Sequence, residues 1–97
     1  MRVRFKLYGV FRTAARTNEV QLELPLRENT VRNAITELAS HPEYAGIKPF
    51  LFESETTDPR SNALIMVSGR EIGTLDGLET RLKESDELSL LPIAHGG

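Results

Sequence analysis

The sequence has no cysteine in its 97 residues, and this absence removes three kinds of chemistry at once. Disulfide bridges, thiolate metal sites and a thiol nucleophile all need this side chain. The only two histidines, His41 and His95, are far apart in sequence and offer little from which to build a metal site. Any sulfur that this protein handles must therefore come from elsewhere.

Long hydrophobic runs and an excess of one charge are missing as well. No stretch approaches the length of a membrane span, and the opening residues Met-Arg-Val-Arg-Phe-Lys lack the apolar core of a secretion signal. The 12 basic and 14 acidic residues are interspersed, without the basic stripe that phosphate backbones require. We expect a soluble, cytoplasmic protein that binds neither membranes nor nucleic acid.

The composition is that of an ordinary globular domain. Hydrophobic residues make up 39% of the chain and charged residues 27%, which is enough for a modest core. The chain is too short for the two-lobed cleft with which most enzymes enclose a substrate. We expect one domain over residues 1–97, ending in a flexible tail over residues 93–97, and no enzymatic activity.

The first part of the sequence predicts two strands and one helix. Val3, Phe5 and Leu7 alternate with polar residues, as in a strand with one buried face. A polar stretch from Gly9 onward, predicted as a wide loop, leads to a second such strand over Val20 to Leu24. Thr30 can then cap a helix that Pro42 should end. Its apolar positions fall on one stripe: Val31, Ala34, Ile35, Leu38 and Ala39.

The second part predicts two further strands with irregular connections. Glu43 to Asn62 is the least legible segment. Ala63 to Val67 is apolar at both parities, which suits a central strand covered on both faces, and Ser68-Gly69 should turn the chain. Glu71 to Leu82 reads as a short irregular connection with at most one small strand, and Glu87 to Leu91 as the last strand. This order predicts an α+β fold of the β-grasp type, a mixed sheet of four to five strands with one main helix on one face.

The end of the sequence carries the chemical hypothesis. Ile93, Ala94 and His95 lead to Gly96 and Gly97, two residues without side chains. Such a tail could pass its terminal carboxylate down a channel too narrow for any Cβ and reach a nucleotide or a thiol in another protein. A bare carboxylate is a poor acyl donor, so it must first be adenylated. An ordinary frayed end and a purification remnant are the alternative interpretations.

The whole chain resembles the MoaD/ThiS family of ubiquitin-like sulfur carriers, which includes the small archaeal modifier proteins. The resemblance lies in successive blocks: Val3 to Gly9, the capped Thr30-Val31-Arg32, the turn Val67-Ser68-Gly69-Arg70, Leu82 to Leu88, and the final Leu-Pro before Gly96-Gly97. It departs from the family at Ile93 and His95, where a second proline and a small residue are usual. The segment 43–62 is also long.

The resemblance implies that Gly97 is adenylated with ATP by a ubiquitin-activating-type enzyme of the MoeB/ThiF kind, with no cofactor bound permanently. The carboxylate would then become a thiocarboxylate that donates sulfur in molybdopterin biosynthesis, with a MoaE-like synthase subunit as partner. It could instead be joined to a target lysine, as in a modifier. A non-covalent β-grasp binding module, whose tail is incidental, is a third hypothesis.

Four other side chains are candidates for partner binding. Tyr8 and Leu91 lie at the parity opposite to Leu7 and Leu90, so with Ile72 they could form an exposed apolar patch beside the tail. Segment 43–62 could instead cover them. Arg70 could pair with an acidic groove or be an ordinary surface arginine. In the tail, Ile93 could anchor to a partner or complete the sheet edge, and His95 could contact a nucleotide or be solvated.

Overall fold

The computed structural model describes residues 1–52 and 58–93. Five strands occur in these ranges: β1 Arg2–Leu7, β2 Glu19–Glu23, β3 Ala63–Val67, β4 Arg70–Glu71 and β5 Glu87–Pro92. The α-helices are α1 Gly9–Ala15, α2 Val31–Ser40 and α3 Lys48–Leu51. Short 3-10 turns at Leu26–Glu28, Ala45–Ile47, Pro59–Ser61, Ile72–Thr74 and Gly77–Glu79 complete the connections.

One mixed sheet organises the fold, with strand order β2-β1-β5-β3-β4. The first and last strands pair in parallel at its centre, with Phe5 opposite Leu88 and Leu7 opposite Leu90. The remaining neighbours are antiparallel. This arrangement confirms the predicted β-grasp architecture, and the small extra strand β4 lies at the start of the predicted irregular connection.

The core lies on one face of the sheet. Helix α2 begins where the Thr30 hydroxyl accepts a hydrogen bond from the Asn33 N–H at 3.2 Å, which satisfies one of the free amides at a helix start. The whole predicted stripe of α2 is buried, and it forms one cluster with the inward residues of the strands. Apolar burial of this stripe is what holds so short a helix in place.

The turn between β3 and β4 explains how this small strand forms. Ser68 and Gly69 both have positive φ, 47° and 87°, as a two-residue type I′ hairpin turn requires. The Ser68 hydroxyl also donates to the Asp86 carboxylate at 2.9 Å. The predicted turn is thereby confirmed.

Two predictions about the fold are wrong. The connection after β1 is not a plain loop, because Gly9–Ala15 forms α1, which buries Phe11 and Ala15 in the core. Strand β3 is not covered on both faces, because Leu64 is 40% exposed while Ala63, Ile65 and Val67 are buried. Within the described ranges, no helix has the length and apolar character needed to cross a membrane.

Candidate functional site

The sheet face opposite the helices is open, and its chemistry changes along the strands. At the end where β1 begins, the register places Arg2 beside Glu23 and Arg4 beside Glu87. These side chains project away from the core because Val3 and Phe5, at the other parity, are buried. This half of the open face is therefore charged and accessible to water.

The other half of the open face is apolar. Strand register places Leu64 opposite Leu91, and Tyr8 reaches the same row because its N–H donates to the Leu90 carbonyl at 3.1 Å. Ile93 follows at the parity of Leu91, and its N–H donates to the Asn62 carbonyl at 3.1 Å. We call Tyr8, Leu64, Leu91 and Ile93 the apolar patch. Tyr8 is 42% exposed, and Leu64 and Ile93 are each 40% exposed, so the patch offers hydrophobic surface to a partner.

The patch continues into a groove between β3 and the chain that follows β4. Leu64, Ile72 and Ile93 line this groove together with Arg60 and Glu71, and its volume is about 250 Å³. The Glu71 carboxylate accepts a hydrogen bond from the Gly73 N–H and so shapes the groove wall. The groove extends the hydrophobic surface past the edge of β3.

The prediction that Ile72 is exposed is wrong. Ile72 is 2% exposed and belongs to the core cluster, because the 3-10 turn Ile72–Thr74 packs against β3. Ile72 lines the groove instead of extending the exposed patch. The apolar residues around Ile72 follow neither a helical nor a strand period, so the sequence did not indicate that Ile72 is buried.

Arg70 does not join the patch. It is exposed, but its register partner is Val67, whose side chain faces the core. Arg70 therefore projects on the other side of the sheet from Leu64 and Leu91, and its role in partner binding stays a prediction.

Leu64 is the patch residue that the sequence pattern did not reveal. The run Ala63 to Val67 is apolar at every position, so periodicity cannot show which parity faces solvent. The predicted last strand could have revealed it. If this strand pairs with Ala63 to Val67, every second residue of that run lies on the same face of the sheet as Leu91.

The tail residues Ala94, His95, Gly96 and Gly97 lie outside the described residues, as do residues 53–57. The structure does describe Pro92 and Ile93, which we call the root of the tail. β5 runs through the middle of the sheet to Pro92, and Ile93 continues the pairing beside the apolar patch. The chain therefore leaves the sheet next to its exposed hydrophobic surface.

Within residues 1–52 and 58–93, titratable groups away from the patch do not form a second site. Among the described residues, no group of three or more histidine or acidic side chains could hold a metal ion. Hydrogen bonds from the Arg60 guanidinium and backbone hold the pKa of the Asp58 carboxyl at about 2. That exposed pair orders the 3-10 turn Pro59–Ser61 beside the groove.

A mixed sheet with parallel first and last strands, one main helix on one face and an open opposite face is the architecture of ubiquitin-like β-grasp proteins. The small archaeal modifier protein 1 of Methanosarcina acetivorans is 32% identical, with 99% of this chain and 96% of that chain covered and a TM-score of 0.80. A putative molybdopterin converting factor subunit 1 from Pyrococcus furiosus is 26% identical, covering 97% and 99%, with a TM-score of 0.74.

A chain of the BexX/CysO complex from Amycolatopsis orientalis is also 26% identical, covering 98% and 99%, with a TM-score of 0.73. A scan against models of protein families finds no match, and a search of curated protein sequences finds none either. On its sequence blocks, its fold and these likenesses, the chain belongs to the MoaD/ThiS family of ubiquitin-like sulfur carriers and modifiers, which includes the small archaeal modifier proteins. It is a carrier or modifier protein and not an enzyme.

Proposed function

We propose that this protein carries sulfur on Gly97 for molybdopterin biosynthesis. The observation that carries the proposal is the course of β5, which leads from the centre of the sheet to Ile93 at the apolar patch. A partner that covers the patch would hold the last four residues close to its own reaction centre. The likeness to a putative molybdopterin converting factor subunit supports this pathway.

The thiocarboxylate at Gly97 forms in two steps, adenylation and attack by sulfur. The Gly97 carboxylate attacks the α-phosphorus of ATP, which forms an acyl-adenylate and releases pyrophosphate. Hydrosulfide from a donor then attacks the acyl carbon and expels AMP, leaving a thiocarboxylate. Both steps take place on a MoeB/ThiF-like adenylating enzyme, and the finished thiocarboxylate then donates its sulfur to a pterin precursor in a MoaE-like synthase subunit. The two final glycines let the chain enter a channel that a Cβ would block.

Protein modification is the second candidate function, and the 32% identity to a small archaeal modifier protein favours it. It uses the same acyl-adenylate, which is attacked by a lysine ε-amine with loss of AMP and a proton. The two functions therefore diverge only after activation.

Intact mass spectrometry of the protein from its own organism tests the proposal. A sulfur carrier shows a fraction in which one oxygen is replaced by sulfur, and treatment with hydrosulfide, ATP and the activating enzyme increases it. A modifier instead leaves Gly-Gly remnants on target lysines after protease digestion. If neither product forms while the activating enzyme and ATP are present, the proposal is wrong.

Two variants at the end of the chain sharpen this experiment. Deleting Gly96 and Gly97 should abolish both products and leave the fold intact, because both glycines follow the last strand. Gly97→Ala keeps a terminal carboxylate and adds only a methyl group, so it isolates the requirement for a narrow passage. A binding module that works without covalent chemistry would keep its cellular activity in both variants.

A further inference from the structure

Gly9 and Pro92 make a close contact where β1 meets α1. A Cβ placed on Gly9 would lie 2.6 Å from Pro92 Cγ and 3.2 Å from Pro92 Cδ. A separation of 2.6 Å between carbon atoms is far inside van der Waals contact, since carbons pack best at about 3.5–4.0 Å. The proline ring therefore sits directly on the glycine backbone, in space that any side chain at position 9 would occupy.

The ring cannot simply rotate away from such a side chain. A proline ring is closed onto its own backbone nitrogen, so moving it moves the main chain. Pro92 is the last residue of β5 and pairs with Ala63. The next residue, Ile93, is tied to Asn62 by its N–H. Pressure on the ring would therefore displace the root of the tail.

We propose that Gly9 is a positioning residue for the C-terminal tail. By admitting the Pro92 ring against its backbone, it fixes where the chain leaves the sheet and thus where the partner receives the carboxylate. This inference rests on the proposed function, in which Gly97 is activated by another protein. Gly9 itself touches neither the nucleotide nor the carboxylate in this proposal.

A matched control separates the contact from backbone strain. Gly9 has φ +55° and Gly69 has φ +87°, both in the region that L-residues rarely adopt. A Cβ on Gly69 would have nothing within 4 Å. Gly9→Ala and Gly69→Ala therefore both carry a conformational penalty, and only Gly9→Ala collides with Pro92.

A compensating variant tests the contact directly. Pro92→Ala removes Cγ and Cδ and leaves a Cβ that would be 3.8 Å from the one added at position 9, an ordinary contact. The effect of Gly9→Ala should therefore be large in the natural background and small in the Pro92→Ala background. This non-additivity is the signature of two residues in contact.

The first measurement is amide hydrogen exchange of Ile93, read by NMR. Gly9→Ala should accelerate exchange of this amide at least about tenfold relative to Gly69→Ala, because the strand end opens locally. The Gly9→Ala/Pro92→Ala variant should match Pro92→Ala alone. If Gly9→Ala does not fold, the comparison of Gly9→Ala/Pro92→Ala with Pro92→Ala tests the proposal. A large difference in Ile93 exchange between these two variants would overturn it.

The second measurement is ATP–pyrophosphate exchange with the ubiquitin-activating-type enzyme of the same organism. Gly9→Ala should lower kcat on the order of 10²-fold, as a misplacement of about 1 Å does, with a smaller change in KM because the paired Leu64 and Leu91 of the apolar patch keep their places. Gly69→Ala should retain kcat. Equal kcat in the two glycine variants, or unchanged Ile93 exchange in Gly9→Ala, would overturn the proposal. If the natural protein is not activated, the proposed function fails while Ile93 exchange still decides the role of the Gly9 contact.

Discussion

Replacing Leu64 by aspartate should separate partner binding from folding. Leu64 is 40% exposed in the free protein and lies opposite Leu91 on the open face. Full burial of a leucine side chain contributes about 1.5–3 kcal/mol, and only the buried part of Leu64 contributes to folding. We therefore expect Leu64→Asp to cost about 1–2 kcal/mol of folding stability, because its carboxylate can still reach water.

Binding to the activating enzyme should suffer far more. A partner that covers the apolar patch would enclose an unpaired carboxylate at position 64, and a buried, unpaired charge costs about 2–5 kcal/mol in an interface. With the lost hydrophobic contact, we expect Kd to rise by at least about 100-fold. Isothermal titration calorimetry with the activating enzyme measures this change, and urea unfolding measures stability.

Leu26→Asp is the matched control. Leu26 is 76% exposed, and it follows the end of β2 that pairs with the start of β1, where Leu24 N–H donates to Met1 carbonyl. It therefore lies at the end of the sheet far from the apolar patch. Leu26→Asp should bind as the natural protein does. Equal weakening by the two variants, or full affinity of Leu64→Asp, would refute the patch as the docking surface.

Three further predictions concern stability. Thr30→Ala removes the hydroxyl that caps α2 and should lower the free energy of unfolding by about 1 kcal/mol in a urea titration, while Thr30→Ser should restore most of it. Leu38→Ala, at a position 0% exposed, should cost about 2–5 kcal/mol, and a smaller loss in the same titration would contradict the packing of α2. Asp58 has a folded pKa of about 2 against an ordinary value of 3.8, so its pairing with Arg60 stabilises the fold above pH 3.8 and is lost as pH falls towards 2. Since the Asp58 side chain is 38% exposed, Asp58→Asn should cost less than about 1 kcal/mol at pH 7 and nothing in acid, and an equal cost at both pH values would count against the ion pair.

Most of the sheet and the main helix were predictable from the sequence. β1 and β2 alternate cleanly, and α2 has its cap and a complete apolar stripe, so local pattern and tertiary packing agree. Helix α1 was not predicted, because Gly9 and the following threonine and arginine residues resemble a loop. The spacing of Phe11, Ala14 and Ala15, at i, i+3 and i+4, was the signal that could have found it.

The candidate site was predictable only in part. Parity placed Tyr8 and Leu91 correctly on the open face, since Tyr8 directly follows β1, Leu91 lies in β5, and both strands alternate. Leu64 and Ile72 depend on tertiary structure, the first on strand pairing and the second on a 3-10 turn that has no periodic signature. The contact of Gly9 with Pro92 joins residues from opposite ends of the sequence, which no local pattern reveals.

The parallel pairing of β1 with β5 also determines how the chain must fold. The two strands at the centre of the sheet come from opposite ends of the sequence, so their contacts close a loop of ~80 residues, at an entropic cost of about 4 kcal/mol. The β1–β2 and β3–β4 hairpins are local, and β5 can pair with β3 across a short connection, but the two halves of the sheet join only when this loop closes. Refolding should therefore be a single cooperative step whose rate is limited by the search of one end of the chain for the other.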